Sequence, residues 1–117
     1  MFLVLYLGCS KDNPDEPTPT TEPEVVEAYV ALNVFYGSDE NQVFDIYLPE
    51  NRTTSTKTII LIHGGSWVSG DKSDMNTIKS FISTLHPNVG IINMNYTLSG
   101  VNNPPVPMQT EDISAVV

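Results

Sequence analysis

The sequence has one cysteine, few basic residues and only a short apolar run at its start. The single cysteine, Cys9, excludes an internal disulfide and a cysteine-based zinc site of the usual kind. Five Lys and Arg residues stand against 14 acidic ones, and the net charge of −9 without a basic cluster argues against nucleic-acid binding. The apolar stretch 1–7 is far shorter than the ~20 residues that a membrane-spanning helix needs.

The start of the chain ends like one particular type of export signal. Leu7-Gly8-Cys9 resembles the end of a bacterial lipoprotein signal, in which a small residue precedes the cysteine that becomes lipid-modified. A basic n-region is missing and the apolar run is at the short limit of roughly 7–15 residues, so we expect the true start codon to lie upstream. We predict lipidation at Cys9 and export to the bacterial cell envelope, at the outer membrane or cell surface. The alternative is a stray cysteine on a frayed terminus.

Residues 10–24 combine four prolines with threonines and acidic residues. Such a segment buries little apolar surface and is predicted to be an extended, solvated tether. The sequence therefore divides into a signal remnant at 1–9, a disordered tether at 10–24 and a single folded domain at 25–117.

The folded part begins with two strand patterns. Apolar side chains alternate within 28–36 and again within 43–48, and the turn-rich residues 37–41 join them into an antiparallel hairpin. Residues 58–63 are apolar without alternation and mostly β-branched, which predicts a strand buried on both faces, as in a parallel sheet.

A helix and a further strand follow. Ser73 is the predicted N-cap of a helix over 74–85, with Lys79 facing outward. Residues 91–96 predict a strand parallel to 58–63, and 108–117 predict a second helix. The pattern indicates the α/β class. The apolar stripe of the first helix comprises Met75, Ile78, Ile82 and Leu85, with Phe81 at its edge.

The buried strand stops at His63-Gly64-Gly65-Ser66-Trp67. Glycines permit a sharp turn and leave backbone N–H groups uncovered, at the end of the strand where α/β proteins hold their sites. Residues 65–73 are also one insertion away from a phosphate-binding loop. The insertion, Asp71, moves Lys72 out of register and puts a carboxylate where phosphates would lie, which argues against that alternative.

The order of these elements resembles the α/β-hydrolase fold. The matching motifs are His63–Trp67, Gly70–Lys72, Asn95–Leu98 and Asp112, and the resemblance covers 25–117. Within this fold, the sequence most specifically resembles the esterase and lipase branch with an His-Gly-Gly-x-Trp turn. That branch includes feruloyl- and acetyl-xylan-esterase-like proteins. Thr97 departs from the family, which often has arginine there, so we expect a salt bridge to be missing.

The resemblance implies a serine-type hydrolase of carboxylic esters, acting on a small-molecule or glycan-linked ester without cofactor or metal. It implies that the backbone N–H groups of Gly65 and Ser66 belong to an oxyanion hole and that Gly64 permits the turn. It also implies that His63 orients this loop, because the family's catalytic base lies near the C-terminus. His86, at a helix end, is expected to be a surface residue.

The sequence contains no Gly-x-Ser-x-Gly, the motif that carries the nucleophile in this family. We therefore expect an N-terminal, incomplete part of the fold that stops before the nucleophile and is inactive alone. Two other interpretations stay open, a lipid-anchored surface binding module without catalysis and a gene remnant without function. The serines without the motif's context are Ser66, Ser69, Ser99 and Ser114.

Overall fold

The computed structural model describes residues 25–117, so the predicted signal remnant with Cys9 and the tether 10–24 lie outside the described residues. No helix within 25–117 is long and apolar enough to span a membrane. The elements are β1 (Tyr29–Phe35), β2 (Val43–Leu48), β3 (Thr58–Ile62), a 3₁₀ turn (Lys72–Met75), α1 (Asn76–Leu85), β4 (Gly90–Met94) and α2 (Met108–Val116).

The four strands form one sheet in the order β1-β2-β4-β3. β1 and β2 pair antiparallel, as predicted for the hairpin, and β2 also pairs antiparallel with β4. β3 and β4 pair parallel, with Ile60 opposite Ile92, which confirms the predicted strand-helix-strand unit. The α/β class, with an antiparallel hairpin followed by parallel strands, is therefore confirmed within residues 25–117.

β1 contains a β-bulge, and a backbone N–H in this bulge hydrogen-bonds to a buried side chain. Its register with β2 shifts between Ala31 and Val34, and Asn33 between them has a positive φ of 53°. The Asn33 N–H donates to Oδ1 of Asp45 on β2 at 2.9 Å. The bulge thereby turns a backbone donor toward a buried carboxylate instead of a ladder partner.

The start of the helical segment differs from the prediction, because Ser73 is not its N-cap. Asp71 is the cap: its side chain accepts from Ser73 N–H at 2.8 Å, and Asp74 reciprocates by accepting from Asp71 N–H at 3.0 Å. This capping box closes a 3₁₀ turn first, and the α-helix begins only at Asn76. A charged carboxylate is a stronger acceptor for the free N–H groups than a serine hydroxyl.

The predicted burial of α1 is also only partly correct. Ile78, Phe81 and Leu85 are 47%, 65% and 56% exposed, whereas Ile82 is half-buried. Lys79, predicted to face outward, is half-buried and holds its Nζ 4.4 Å from the ring centroid of Tyr47. Its aliphatic stem covers apolar surface while its charge lies on an aromatic face, which a hydrophobicity pattern does not reveal.

The core is centred on β4, because four of its five residues are buried. β3 lies at the edge of the described sheet, and only Leu61 on it is buried, so the predicted burial of this strand on both faces is not met within 25–117. β4 also ends at Met94, two residues earlier than predicted. The buried apolar residues of the described part are Val43, Leu61, Ile91, Met94 and Tyr96.

Candidate active site

The loop after β3 has a left-handed backbone over three successive residues. Gly65, Ser66 and Trp67 have φ values of 110°, 54° and 69°. For the two residues with side chains, this conformation costs about 1–2 kcal/mol each. Strain of this kind persists only where surrounding contacts hold it, and it is concentrated at functional sites.

Two of the loop glycines are sterically required and one is not. A Cβ on Gly65 would lie 1.9 Å from the backbone oxygen of Ser69, and a Cβ on Gly70 would lie 2.4 Å from His63 Nδ1. A Cβ on Gly64 would meet nothing within 4 Å, and Gly64 has no positive φ. The structure therefore places the left-handed turn at Gly65 and not at Gly64.

His63 is 3% exposed and lies behind the loop. Its Nδ1 is 2.7 Å from the carbonyl oxygen of Gly64. Because a carbonyl can only accept, Nδ1 carries the proton, and in the neutral ring Nε2 is then the nitrogen with the lone pair. Nε2 is buried and has no hydrogen-bond partner among residues 25–117.

Tyr96 supports the same loop from the strand side. Its ring stacks on His63 with centroids 4.3 Å apart and meets the ring of Trp67 edge-on at 5.2 Å. Its single hydroxyl hydrogen is shared between the carbonyl oxygens of His63 and Gly64, which lie 3.1 and 3.4 Å from the hydroxyl oxygen. Burial raises the pKa of Tyr96, so the hydroxyl keeps its proton and remains a donor.

A pocket of about 220 Å³ opens at this loop, lined by His63, Gly64, Ser66, Trp67 and Tyr96. Gly65 and Ser66 are exposed, and no acceptor within 25–117 takes a hydrogen bond from their backbone N–H groups. Trp67 is 39% exposed. Two adjacent, unpaired donors beside a pocket can bind an oxygen that carries negative charge.

The segment that follows the loop is tied to the sheet by its side chains. Asn95 accepts from Lys72 N–H and donates to Asp71 Oδ2 at 2.7 Å. Hydrogen bonds from Ser73 and Asn95 lower the pKa of Asp71 to about 2. Asn93 donates to the carbonyl of Lys72 at 2.7 Å.

Lys72 itself reaches across the sheet. Its Nζ lies 2.6 Å from Asp45 Oδ1, in an ion pair whose side chains are 13% and 10% exposed. This is the one ion pair among residues 25–117. The Gly70-Asp71-Lys72 motif therefore fastens the far end of the loop to β2 and β4.

A second polar group anchors the loop after β4 to α2. Asp112 is 6% exposed and accepts from Thr97 N–H and from Gln42 Nε2, both at 2.7 Å. The donors to this carboxylate are thus a backbone amide and a side-chain amide. Gln109 donates to the Thr97 carbonyl at 2.7 Å. Ser99 N–H donates to the Trp67 carbonyl at 2.7 Å and so joins the two loops.

Sequence reasoning missed several of these supporting residues. Asp45 and Asn93 are polar residues on strands that are otherwise apolar, and that contrast was the available signal. Asn95 belongs to a motif identified in the sequence, but its hydrogen bonds to Asp71 and Lys72 were not predicted. His86 is exposed, as predicted, and lines a smaller pocket of about 140 Å³ elsewhere. No serine hydroxyl within 25–117 hydrogen-bonds to either histidine, and this part of the chain holds no cluster of three potential metal ligands.

The described sheet is similar to that of solved esterases with the α/β-hydrolase fold. A family model, BD-FAE, matches residues 44–117, and the chain belongs to that family.

Relatives and solved structures of esterases agree with this fold. A truncated carbohydrate esterase from gut microbiota has a TM-score of 0.58 and 28% identity, over 78% of this chain and 32% of that one. Esterase B from Lactobacillus rhamnosis has a TM-score of 0.50 and 26% identity, over 77% of this chain and 29% of that one. Kynurenine formamidase of Salmo salar is 27% identical over 76 residues, which are 65% of this chain and 25% of that protein. The chain thus spans between a quarter and a third of these relatives.

Proposed function

We propose that residues 25–117 supply the oxyanion-loop part of a serine-type carboxylic-ester hydrolase. The observation that carries this proposal is the pair of unpaired backbone donors, Gly65 and Ser66 N–H, beside a pocket at the end of β3. Ester hydrolysis passes through a tetrahedral intermediate whose carbonyl oxygen becomes negative. Removing one fixed donor from such a site costs about 10²–10³ in rate.

The nucleophile and its acid and base partners would come from residues outside this chain. None of the serines in 25–117 has a histidine partner, and the chain spans only part of the relatives' length. The 117 residues alone are therefore proposed to be inactive, because half an oxyanion site has no intermediate to stabilise.

We further propose a small-molecule or glycan-linked ester as substrate. The carbohydrate esterase among the similar solved structures supports the glycan-linked class, and the exposed Trp67 offers an aromatic surface beside the donors. The similarity to a kynurenine formamidase supports a related chemistry, since hydrolysis of an amide and hydrolysis of an ester form the same kind of oxyanion.

The test compares the 117-residue chain with the complete gene product that contains it, using an activated acetate ester. We expect turnover by the complete product, abolished by a serine-directed phosphonate, and only background by the chain. Phosphonate-sensitive turnover by the chain alone would falsify the assignment of the nucleophile to other residues. A folded complete product without turnover on aryl, alkyl and glycan acetates would contradict ester hydrolysis itself.

Lipidation at Cys9 is a separate proposal, which rests on the sequence Leu7-Gly8-Cys9 and on the proline-rich residues that follow it. Several acyl chains, as on a mature lipoprotein, suffice for stable anchoring to the cell envelope. With a basic n-region restored, an alkyne fatty acid fed to a bacterial host should label the parent protein. Equal labelling of Cys9→Ala and the parent would exclude the anchor.

The competing function is a lipid-anchored binding module without catalysis. Such a module must close its own core, whereas Ile78, Phe81 and Leu85 on α1 are about half exposed or more. We therefore expect the chain alone to unfold without a sharp transition in near-UV circular dichroism. A monomer with a sharp cooperative transition would favour the binding module.

A further inference from the structure

The carbonyl oxygen of Gly64 is held from three sides. His63 Nδ1 lies 2.7 Å away, and the Tyr96 hydroxyl lies 3.4 Å away. On the third side Gly70 approaches so closely that a Cβ there would come within 2.5 Å of this oxygen. The preceding carbonyl, that of His63, accepts from the same Tyr96 hydroxyl at 3.1 Å.

Fixing these oxygens also fixes the N–H groups that follow them. A peptide group is planar and the Gly64–Gly65 bond is trans, so its C=O and N–H point in opposite directions. With the Gly64 oxygen held against the buried Tyr96 and His63, the Gly65 N–H must point away from both rings. That donor is one of the two assigned above to the oxyanion.

We propose that Tyr96 is a positioning residue that aims the Gly65 N–H by holding the carbonyl oxygens of His63 and Gly64. Its effect on catalysis rests on the proposed ester hydrolysis, whereas its effect on the loop does not. It acts through the backbone of the loop and needs no contact with substrate.

Tyr96 is better suited to this role than the nearer His63. His63 is the neighbour of Gly64 along the chain, so the two can shift together when the loop moves. Tyr96 lies two residues after the end of β4, is 32 residues along the chain from Gly64, and is 1% exposed. The residue before it, Asn95, is tied to β2 because its N–H donates to the Val43 carbonyl at 2.9 Å, and Tyr96 therefore provides a reference that is fixed to the sheet.

The test uses Tyr96→Phe in the complete gene product, which removes one oxygen and keeps the ring stack. The matched control is Tyr47→Phe, which also removes one phenolic oxygen but on β2, where the Tyr47 hydroxyl has no hydrogen-bond partner among residues 25–117. Glycine labelled with ¹³C and ¹⁵N reports the Gly64 carbonyl and the Gly65 amide. We expect both signals to move in Tyr96→Phe and to stay in Tyr47→Phe.

Kinetics add a second measurement. For Tyr96→Phe we expect kcat to fall by roughly 10- to 100-fold, less than the ~10²–10³ for loss of a donor, with KM nearly unchanged. A rise in KM with kcat unchanged would contradict positioning, because the oxyanion exists only in the transition state. Unmoved Gly64 and Gly65 signals would overturn the proposal whatever the activity. Moved signals in a product without esterase activity would uphold the positioning role and overturn only the proposed reaction.

A second variant keeps the Tyr96 hydroxyl, so its folding is not threatened by loss of that hydrogen bond. Replacing Tyr96 by 3-fluorotyrosine keeps the hydroxyl and makes it a stronger donor, since fluorine lowers the pKa of the phenol. The Gly64 carbonyl signal should then move opposite to its direction in Tyr96→Phe. A signal that does not respond would overturn the proposal even if Tyr96→Phe fails to fold.

Discussion

The loop-bearing edge of the sheet and the outer face of α1 are organised in opposite ways. The loop after β3 is irregular and strained, yet buried polar and aromatic side chains hold it from behind. α1 is a regular helix, yet its outer face leaves Ile78, Phe81 and Leu85 largely uncovered. Regular secondary structure and side-chain burial therefore do not go together in residues 25–117. The contacts that fix conformation are concentrated where the backbone donors lie.

The largest expected effect comes from breaking the ion pair beneath the loop. Lys72→Met leaves Asp45 charged, 10% exposed and without its cation, which should lower the free energy of unfolding by roughly 3–5 kcal/mol. Urea denaturation of the complete gene product measures it. The double variant Lys72→Met/Asp45→Leu should recover much of the loss, because no charge is then left unpaired. A loss below ~1 kcal/mol would mean that the pair behaves as a surface pair.

Gly64 and Gly65 are neighbours, but only Gly65 has a positive φ, so replacing each by alanine tests whether the loop depends on that conformation. Gly65→Ala must adopt a left-handed φ and places its Cβ 1.9 Å from the Ser69 oxygen, so we expect destabilisation above the ~1–2 kcal/mol of the conformation alone. Gly64→Ala, the matched control, should stay within about 0.5 kcal/mol. Equal losses in urea denaturation would contradict the geometry of the loop.

Removal of the capping box should have a moderate effect that depends on pH. Asp71→Ala should cost about 1 kcal/mol at neutral pH. The pKa of Asp71 is lowered from 3.8 to about 2 in the folded state, so its stabilisation is complete above pH 4 and is lost as pH falls toward 2. The difference in stability between parent and variant should shrink across that interval. A difference that stays constant down to pH 2 would show that the carboxylate is not the cap.

The smallest effect is expected on the outer face of α1. Phe81→Ser in the 117-residue chain removes a side chain that is 65% exposed, so far-UV circular dichroism should not change. Binding of the dye ANS should fall, because exposed apolar surface is lost. Ile82→Ser, at a half-buried position, should instead reduce helix content. Unchanged dye binding in Phe81→Ser would mean that this face is already covered.

The strands could be predicted from the sequence because their pattern is local. Alternation within 28–36 and 43–48 and the apolar run at 58–63 gave all three strands to within one or two residues. The parallel pairing followed from the helix between β3 and β4. The orientation of α1 could not be predicted in the same way, since Lys79 packs on Tyr47 through a contact between distant parts of the chain.

The candidate site was predictable in its position but not in its support. The glycines after β3 located the loop, whereas its left-handed residues include Ser66 and Trp67, which propensity does not favour there. The roles of Tyr96, Asp45 and Asn95 arise from hydrogen bonds between elements that are 23 or more residues apart. Such contacts form only when the sheet is assembled, so the spacing of polar and apolar residues along the sequence does not predict them.

The strand order has a consequence for the protein while it is being made. Because β4 lies between β2 and β3, the hairpin and β3 share no strand contact until β4 has been synthesised. At ~5–20 residues per second, the 32 residues from Ile62 to Met94 take roughly 2–6 s. During that interval the nascent chain presents the apolar segment Thr58–Ile62 without its neighbour. Pairing of β3 therefore has to wait for a strand that leaves the ribosome 32 residues after it, whatever the rate at which the hairpin forms.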